Sequence, residues 1–287
     1  MPSPSERPRP ARPDVRELAE LRALRARCPD LAPAIDMQVE LVELTRRIQL
    51  RVSTPAAAPL EERQARLAAG RRLVELPEVP LEWADARLAV RQVADILNRH
   101  DLLDGPDHRR LVSAARDEDG LAASVRAWYA ETAQGPDTVV VSSARPPMLD
   151  DVLALALRPF LARAAHVAGQ RLALDQWGRS WCPFCGAWPD FAVYQDDQQR
   201  RLICGRCASR WDWRLVGCPW CGNDDPAELP GFTSADRLYR VCACNVCRRY
   251  LKAYHARGAA RPVLPEVDLM ATLPLDAAAA QRGYVGG

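Results

Sequence analysis

An excess of charge of either sign is what this sequence has least of. Its 39 basic and 37 acidic side chains leave a formal charge of only +2. No global field is available to hold a polyanion, so nucleic acid or anionic lipid would need a local patch. Lysine is all but missing: Lys252 is the single one, and arginine carries the remaining positive charge, as a coding bias toward arginine would produce. No apolar run approaches the ~18–20 residues needed to span a bilayer. There is no P-loop, no Gly-x-Ser-x-Gly elbow and no Gly-rich dinucleotide turn, which removes the familiar signatures of nucleotide-dependent and hydrolytic enzymes. The four histidines (His100, His108, His166 and His255) show no ligand spacing. Only His255 lies near the cysteine-rich zone, and it is expected in solvent rather than on a metal.

What is abundant is cysteine, and it is ordered. Eight of the ten cysteines form four Cys-x-x-Cys pairs in a chain of 287 residues, long enough to bury a proper core. The opening segment, Met1 to Pro13, is rich in Pro, Ser and Arg and has no apolar h-region. It reads as a disordered tail rather than a secretory or twin-arginine signal, and the protein is expected in the cytoplasm. In a reducing compartment, pairs at this spacing favour metal thiolates over disulfides.

Composition divides the rest. Residues 14–175 read as a helical domain, rich in Ala, Leu and Arg, with helical periodicity over 15–28 and 35–52. Trp83, Ala86, Val90, Val93 and Leu97 trace one helical stripe behind Pro80. A last apolar helix starts near Met148, and Pro159 should kink or end it. Cys28, just before Pro29, reads as a helix-end or buried residue rather than a ligand. Residues 176–257 read as a double four-cysteine ribbon domain, with strand-like runs at Phe191–Tyr194 and Arg214–Val216. Residues 258–287 read as a C-terminal tail whose apolar stretch, Val267 to Leu275, could pack back as a clasp. The fold class expected is α plus small β: an N-terminal helical bundle followed by two tandem rubredoxin-like or zinc-ribbon modules.

The four pairs are Cys182 and Cys185, Cys204 and Cys207, Cys218 and Cys221, and Cys244 and Cys247. Two cysteines at this spacing form a knuckle whose turn aims both sulfurs at one ion, and two knuckles complete a tetrahedral S₄ shell. Gly186 and Gly222 follow the second cysteine and supply the positive φ that closes the turn. Gaps of 18 residues (Cys185 to Cys204) and 22 residues (Cys221 to Cys244) each suit a β-hairpin, whereas the middle gap holds only 10. Sequential pairing is therefore expected, giving two metal ions per chain; a cross-braced arrangement, first pair with third, also fits the spacing. An S₄ set suits iron and zinc alike. Cys242 is left over, as a bystander, a redox-active thiol or a substitute ligand. Trp181, Trp188, Trp211, Trp213 and Trp220 are expected to pack the small metal-nucleated modules rather than stack on bases. Phe184, Trp220, Arg248 and Arg249, beside the knuckles, are candidates for a docking face. A closed tetrathiolate shell leaves no open coordination position, so no catalytic residue is assigned.

The ribbon zone resembles the FdhE family of formate dehydrogenase accessory proteins. The resemblance rests on Cys182-Pro-Phe-Cys185-Gly-Ala-Trp-Pro189, on the block from Cys204 through Trp211 to Cys221 with its 10-residue gap, and on Cys244-x-x-Cys247-x-x-Tyr250-Leu-Lys252. The helical half is similar more loosely, through Gln38-Val-Glu-Leu41 and Ala156-Leu-Arg-Pro159. Cys242 and the N-terminal extension depart from the family pattern. The resemblance implies a helical domain followed by two ribbons that bind iron or zinc through the eight paired cysteines. It also implies a non-enzymatic cytoplasmic role in maturing formate dehydrogenase by binding its catalytic subunit; a homodimer stays open. Two competing readings are a rubredoxin-like redox protein and a nucleic-acid-binding zinc-ribbon protein, the latter disfavoured by the near-neutral charge.

Overall fold

Helical periodicity decides which residues the helices bury. Ala86, Val90, Val93 and Leu97 are buried along one face of a helix that begins at Trp83, with Trp83 packed at its edge. In the computed structural model, which describes residues 13–131, 147–196, 199–257 and 259–286, this helix is the fourth in chain order. The set is α1 (Pro13–Arg27), α2 (Ala32–Gln49), α3 (Leu60–Ala68), α4 (Trp83–Arg99), α5 (Gly105–Ala114), α6 (Glu118–Ala130) and α7 (Pro147–Ala168). Helices α2, α4 and α7 pack on one another, α1 lies on α2, and α5 and α6 flank α4. The expected disordered tail, apart from Pro13, lies outside the described residues.

Pro159 does not end α7, which continues to Ala168. An internal proline costs roughly 3 kcal/mol. Here the residues on both sides of it, Val152, Leu153, Phe160, Leu161 and Ala164, are all buried, and that burial outweighs the loss. The far end of α7 is held by the buried Arg63 of α3, whose guanidinium donates to the carbonyls of Ala168 (2.6 Å) and Gln170 (2.9 Å). A cation there suits both the unpaired carbonyls and the negative end of the helix dipole.

The two ribbons share one sheet. Strands β1 (Pro189–Asp196), β2 (Gln199–Cys204) and β3 (Arg210–Trp213) belong to the first; β4 (Gly231–Thr233), β5 (Tyr239–Ala243) and β6 (Arg249–His255) belong to the second. The order is β3-β2-β1-β6-β5-β4, antiparallel within each ribbon, with β1 and β6 joined parallel from Phe191 opposite Lys252 to Tyr194 opposite His255. The expected strand at Phe191–Tyr194 is part of β1. The run Arg214–Val216 is not a strand: Arg214 turns away to donate to the Gly222 carbonyl at 2.6 Å, and Leu215 and Val216 are 37% and 47% exposed. This stretch is the linker between ribbons.

The last segment covers one face of that sheet through α8 (Pro265–Ala271) and α9 (Leu273–Gln281), and Val285–Gly286 (β7) adds a short parallel pairing to β6. The quoted resemblance residues converge on these helices. Tyr250 and Lys252 of β6 both donate to Asp276 of α9 at 2.6 Å. Gln38 of α2 donates to Glu266 of α8, and the guanidinium of Arg158 on α7 lies 3.0 Å from the same carboxylate. Asp268, fully buried, accepts from Tyr239 (2.7 Å), Arg261 and the Leu264 amide (2.7 Å). Asp276→Ala would strand the Lys252 ammonium, 7% exposed, and one tyrosine hydroxyl. It should cost about 2 kcal/mol or more, because a buried charge then loses its partner. Arg201→Ala, which removes an exposed pair with Asp212, should cost less than about 0.5 kcal/mol. Urea unfolding of both variants checks this; equal losses would count against the clasp.

Candidate metal centres

Each Cys-x-x-Cys turn is closed by one repeated backbone scheme. The amide after the second cysteine donates to the carbonyl of the first: Gly186 to Cys182, Ala208 to Cys204 and Gly222 to Cys218, each at 3.0 Å, and Arg248 to Cys244 at 2.9 Å. The amide of the first cysteine donates to the carbonyl five residues on, at 2.8 to 2.9 Å in all four knuckles. The closing residue has positive φ every time: 79° at Gly186, 57° at Ala208, 74° at Gly222 and 59° at Arg248. Glycine fits this conformation freely, whereas Ala208 and Arg248 occupy it at a cost of ~1 kcal/mol or more. Amides inside the turn reach the sulfurs: Phe184 N lies 3.4 Å from Cys182 Sγ, and Arg206 N 3.4 Å from Cys204 Sγ.

The knuckles meet sequentially. Cys182, Cys185, Cys204 and Cys207 form one group, and Cys218, Cys221, Cys244 and Cys247 the other. All four sulfurs of each group lie within 4.8 Å of one another. The short sulfur–sulfur contacts, three in the first group and two in the second, run from 3.4 to 3.6 Å, far beyond the ~2.05 Å of a disulfide. They lie close to the edge of about 3.8 Å that ~2.3 Å metal–sulfur bonds give a tetrahedron. The donor set therefore fits an S₄ ion, and either group could hold one. Burial pushes the thiols of Cys182 and Cys218 up, so neither ionises readily without a cation. At Cys244 burial also works upward, but the amides of Cys247 and Val246 outweigh it and the thiol is lowered.

The two centres differ in setting. All four cysteines of the first are buried within the core that also holds α4 and α7. Leu73 and Val74 donate their amides to the carbonyls of Pro183 and Phe184 (2.8 and 3.0 Å), and Arg206 lies 3.9 Å over the ring of Trp128. In the second, Cys221 and Cys247 are only half-buried, and Val246 between its cysteines is 60% exposed.

Several expected surface positions prove otherwise. Phe184 and Trp220 are each 6% exposed; Phe184 packs under the C-terminal end of α7, beside Gly169. Of the candidate docking residues only Arg248 and Arg249 are exposed. Trp181, Trp211 and Trp220 are buried, with Trp188 and Trp213 packed against the same core. His255 is not in open solvent but stacks on Tyr194 with ring centroids 5.3 Å apart. Cys28 and Cys242 lie outside both groups; Cys242 sits 3.5 Å from the Tyr194 hydroxyl.

A helical bundle carrying two fused four-cysteine ribbons is thus the class that fold and site define. No protein-family model matches the chain, and no curated protein matches its sequence. Among solved structures it is similar to the crystal structure of the FdhE protein from Pseudomonas aeruginosa, with a TM-score of 0.63, 19% identity, and coverage of 95% of this chain and 92% of that one. At that identity the likeness is one of fold.

Protein purified without added metal should carry close to two ions per chain by elemental analysis. Cys182→Ser and Cys218→Ser should each lose about one, and Cys28→Ser and Cys242→Ser none. A chromogenic chelator should extract the ions in two phases, the half-exposed second centre emptying first. A single phase, or a stoichiometry of zero, would contradict this assignment. Ala208→Gly should raise stability by up to ~1 kcal/mol by relieving its left-handed backbone, read as a shift of the urea midpoint.

Proposed function

We propose that the protein is a metal-binding accessory factor of the FdhE type, which docks the catalytic subunit of formate dehydrogenase in the cytoplasm during maturation. The observation that carries this is the shared fold over 95% of the chain, taken with the resemblance motifs, which fall on the knuckles and the clasp. In this reading the eight paired cysteines are the ligands of two iron or zinc ions. The ribbon pair over 176–257 presents the docking surface, and the helical part over 14–175 is its base. The closed shells fix loops rather than perform chemistry, so the protein is no enzyme. Preorganised loops lose little entropy when a partner binds. Near the second centre Val246 and Arg249 are exposed on the fourth knuckle, as are Leu215 and Val216 on the linker that leads to the third. Among the described residues no helix is long and apolar enough to cross a membrane.

The half-exposed second centre favours one alternative, a one-electron carrier with iron in that site. Deleting the protein should abolish formate dehydrogenase activity while leaving synthesis of the catalytic subunit intact, and the two proteins should co-purify. Joint replacement of Cys218 and Cys221 by serine should weaken that co-purification, whereas substitutions within the first 12 residues should not. Full formate dehydrogenase activity in the deletion strain, under growth that requires the enzyme, would refute the assembly role. Reversible bleaching of a visible thiolate band would then point to electron transfer.

A further inference from the structure

A cavity of about 400 Å³ lies beside the second four-cysteine group, whose Cys218 and Cys244 form part of its lining, and its remaining residues have no role in holding the metal. Strand register sets its floor. Arg200 on β2 is paired with Tyr194 on β1, and Tyr194 with His255 on β6; Arg240 and Cys242 of β5 extend the same lining. The roof is the ribbon linker and the third knuckle, drawn down by a 3.0 Å hydrogen bond from Arg200 Nη1 to the Gly217 carbonyl.

The chemistry of this lining is one-sided. Arg200, Arg240 and Arg249 contribute to it, and among the described residues no aspartate or glutamate does. Arg200 is 2% exposed, yet its Nε and Nη2 have no hydrogen-bond partner; the buried Trp220 Nε1 has none either. Buried donors are almost always paired, and leaving a charged one unpaired is expensive. The Arg200 guanidinium lies 5.3 Å from the ring of Trp213 and 5.9 Å from that of Tyr194. Those faces do not replace a hydrogen-bond acceptor, so a buried arginine beside two further arginines of the lining points to an anion at this cavity. Two arginine forks beside a buried third suit a dianionic oxyanion better than a single carboxylate. Leu215, Val216, Pro219 and Leu229 supply an apolar wall, and the volume falls in the range of small-molecule sites.

We propose that this cavity binds a small phosphate-bearing molecule with an apolar or ring-shaped body, its phosphate held by the cluster of Arg200, Arg240 and Arg249. The neighbouring tetrathiolate centre carries negative charge of its own, so the arginines have one competing duty, charge compensation of the thiolates. The two roles separate cleanly by experiment. The proposal does not depend on the assembly role, because every probe is a small molecule and no client protein is present.

The full-length, metal-loaded protein would be titrated with phenyl phosphate, inorganic phosphate and benzoate, followed by calorimetry and tryptophan fluorescence, with metal content measured in parallel. Phenyl phosphate should bind tightest, inorganic phosphate more weakly and benzoate weakest, with affinities that fall as salt rises. Arg200→Met and Arg240→Gln should each weaken phenyl phosphate about tenfold or more, whereas Arg201→Gln, outside the cavity and both metal centres, should leave it unchanged. Should Arg200→Met fail to fold, Arg240→Gln and Arg249→Gln carry the test. No saturable binding of any probe, a preference for benzoate, or variants that lose metal from the second centre without losing ligand affinity would each overturn the proposal.

Discussion

Four sulfurs held within 4.8 Å of one another, with contacts as short as 3.4 Å, are the constraint on which the ribbons depend. As thiolates at the shortest spacing they repel by about 5 kcal/mol per pair at an effective dielectric of ~20. As thiols they are poor hydrogen-bond partners that bind nothing together. Only a cation at the centre of each set removes the repulsion and turns the same geometry into cohesion, which is why metal binding and folding become one free energy in such modules. The repeated knuckle scheme follows from this demand. Each turn delivers amides toward sulfur and accepts a left-handed residue to do so, with Ala208 and Arg248 held there despite the strain.

The tandem modules would be independent beads were it not for the parallel β1–β6 pairing. That pairing places two antiparallel ribbons side by side with the same strand order, so the chain leaving β3 must travel back across the sheet to start the second ribbon. The ten residues between Cys207 and Cys218 include β3 and the first four residues of this return, which runs on through the third knuckle to β4. Little slack remains, and Gly217, at a φ of 139°, takes the bend where Arg200 seizes its carbonyl. The cavity under the linker is a geometric consequence of the join between modules, not a feature of either ribbon alone.

How much of this was legible beforehand depended on whether the signal was local. The knuckles were plain because two cysteines at this spacing define a turn without outside help, with a following glycine in two of the four. The stripe on α4 was equally plain, since 3.6-residue periodicity is written along one segment. Helices α5 and α6 were not anticipated, although Asp104 and Asp117 cap them by accepting from Asp107 N and Gly120 N. Their shortness, and a glycine in each first turn, masked that cue. Arg214–Val216 read as a strand by composition, but Arg214 bonds to Gly222 and so diverts the chain. Trp220 was readable as packing but also as a docking residue, and only the first holds; the depth of Phe184 was not readable, because it packs beside Gly169 at the end of α7. Strand pairing between ribbons was hidden for the same reason.

The same non-local logic explains the unequal burial of two otherwise matching centres. The first knuckle is zipped by Leu73 and Val74 to the stretch between α3 and α4 and lies in the core of α4 and α7, so losing its ion would open the junction between bundle and sheet. The second is anchored mainly through the sheet, whose opposite face α8 and α9 cover by means of Asp268 and Asp276. Those two acids accept from Tyr239, Tyr250, Arg261 and the single lysine and so fasten α8 and α9 over that face. Near the second centre, Arg200 and Trp220 retain unpaired donors, and Cys221 and Cys247 reach solvent. The face away from α8 and α9 is itself mostly buried, with Ala192, Leu202, Leu251 and Ala253 in the core shared with α4 and α7. The half-exposed second centre and the cavity beside it therefore mark where that cover ends, and this is the side the proposed docking role would use.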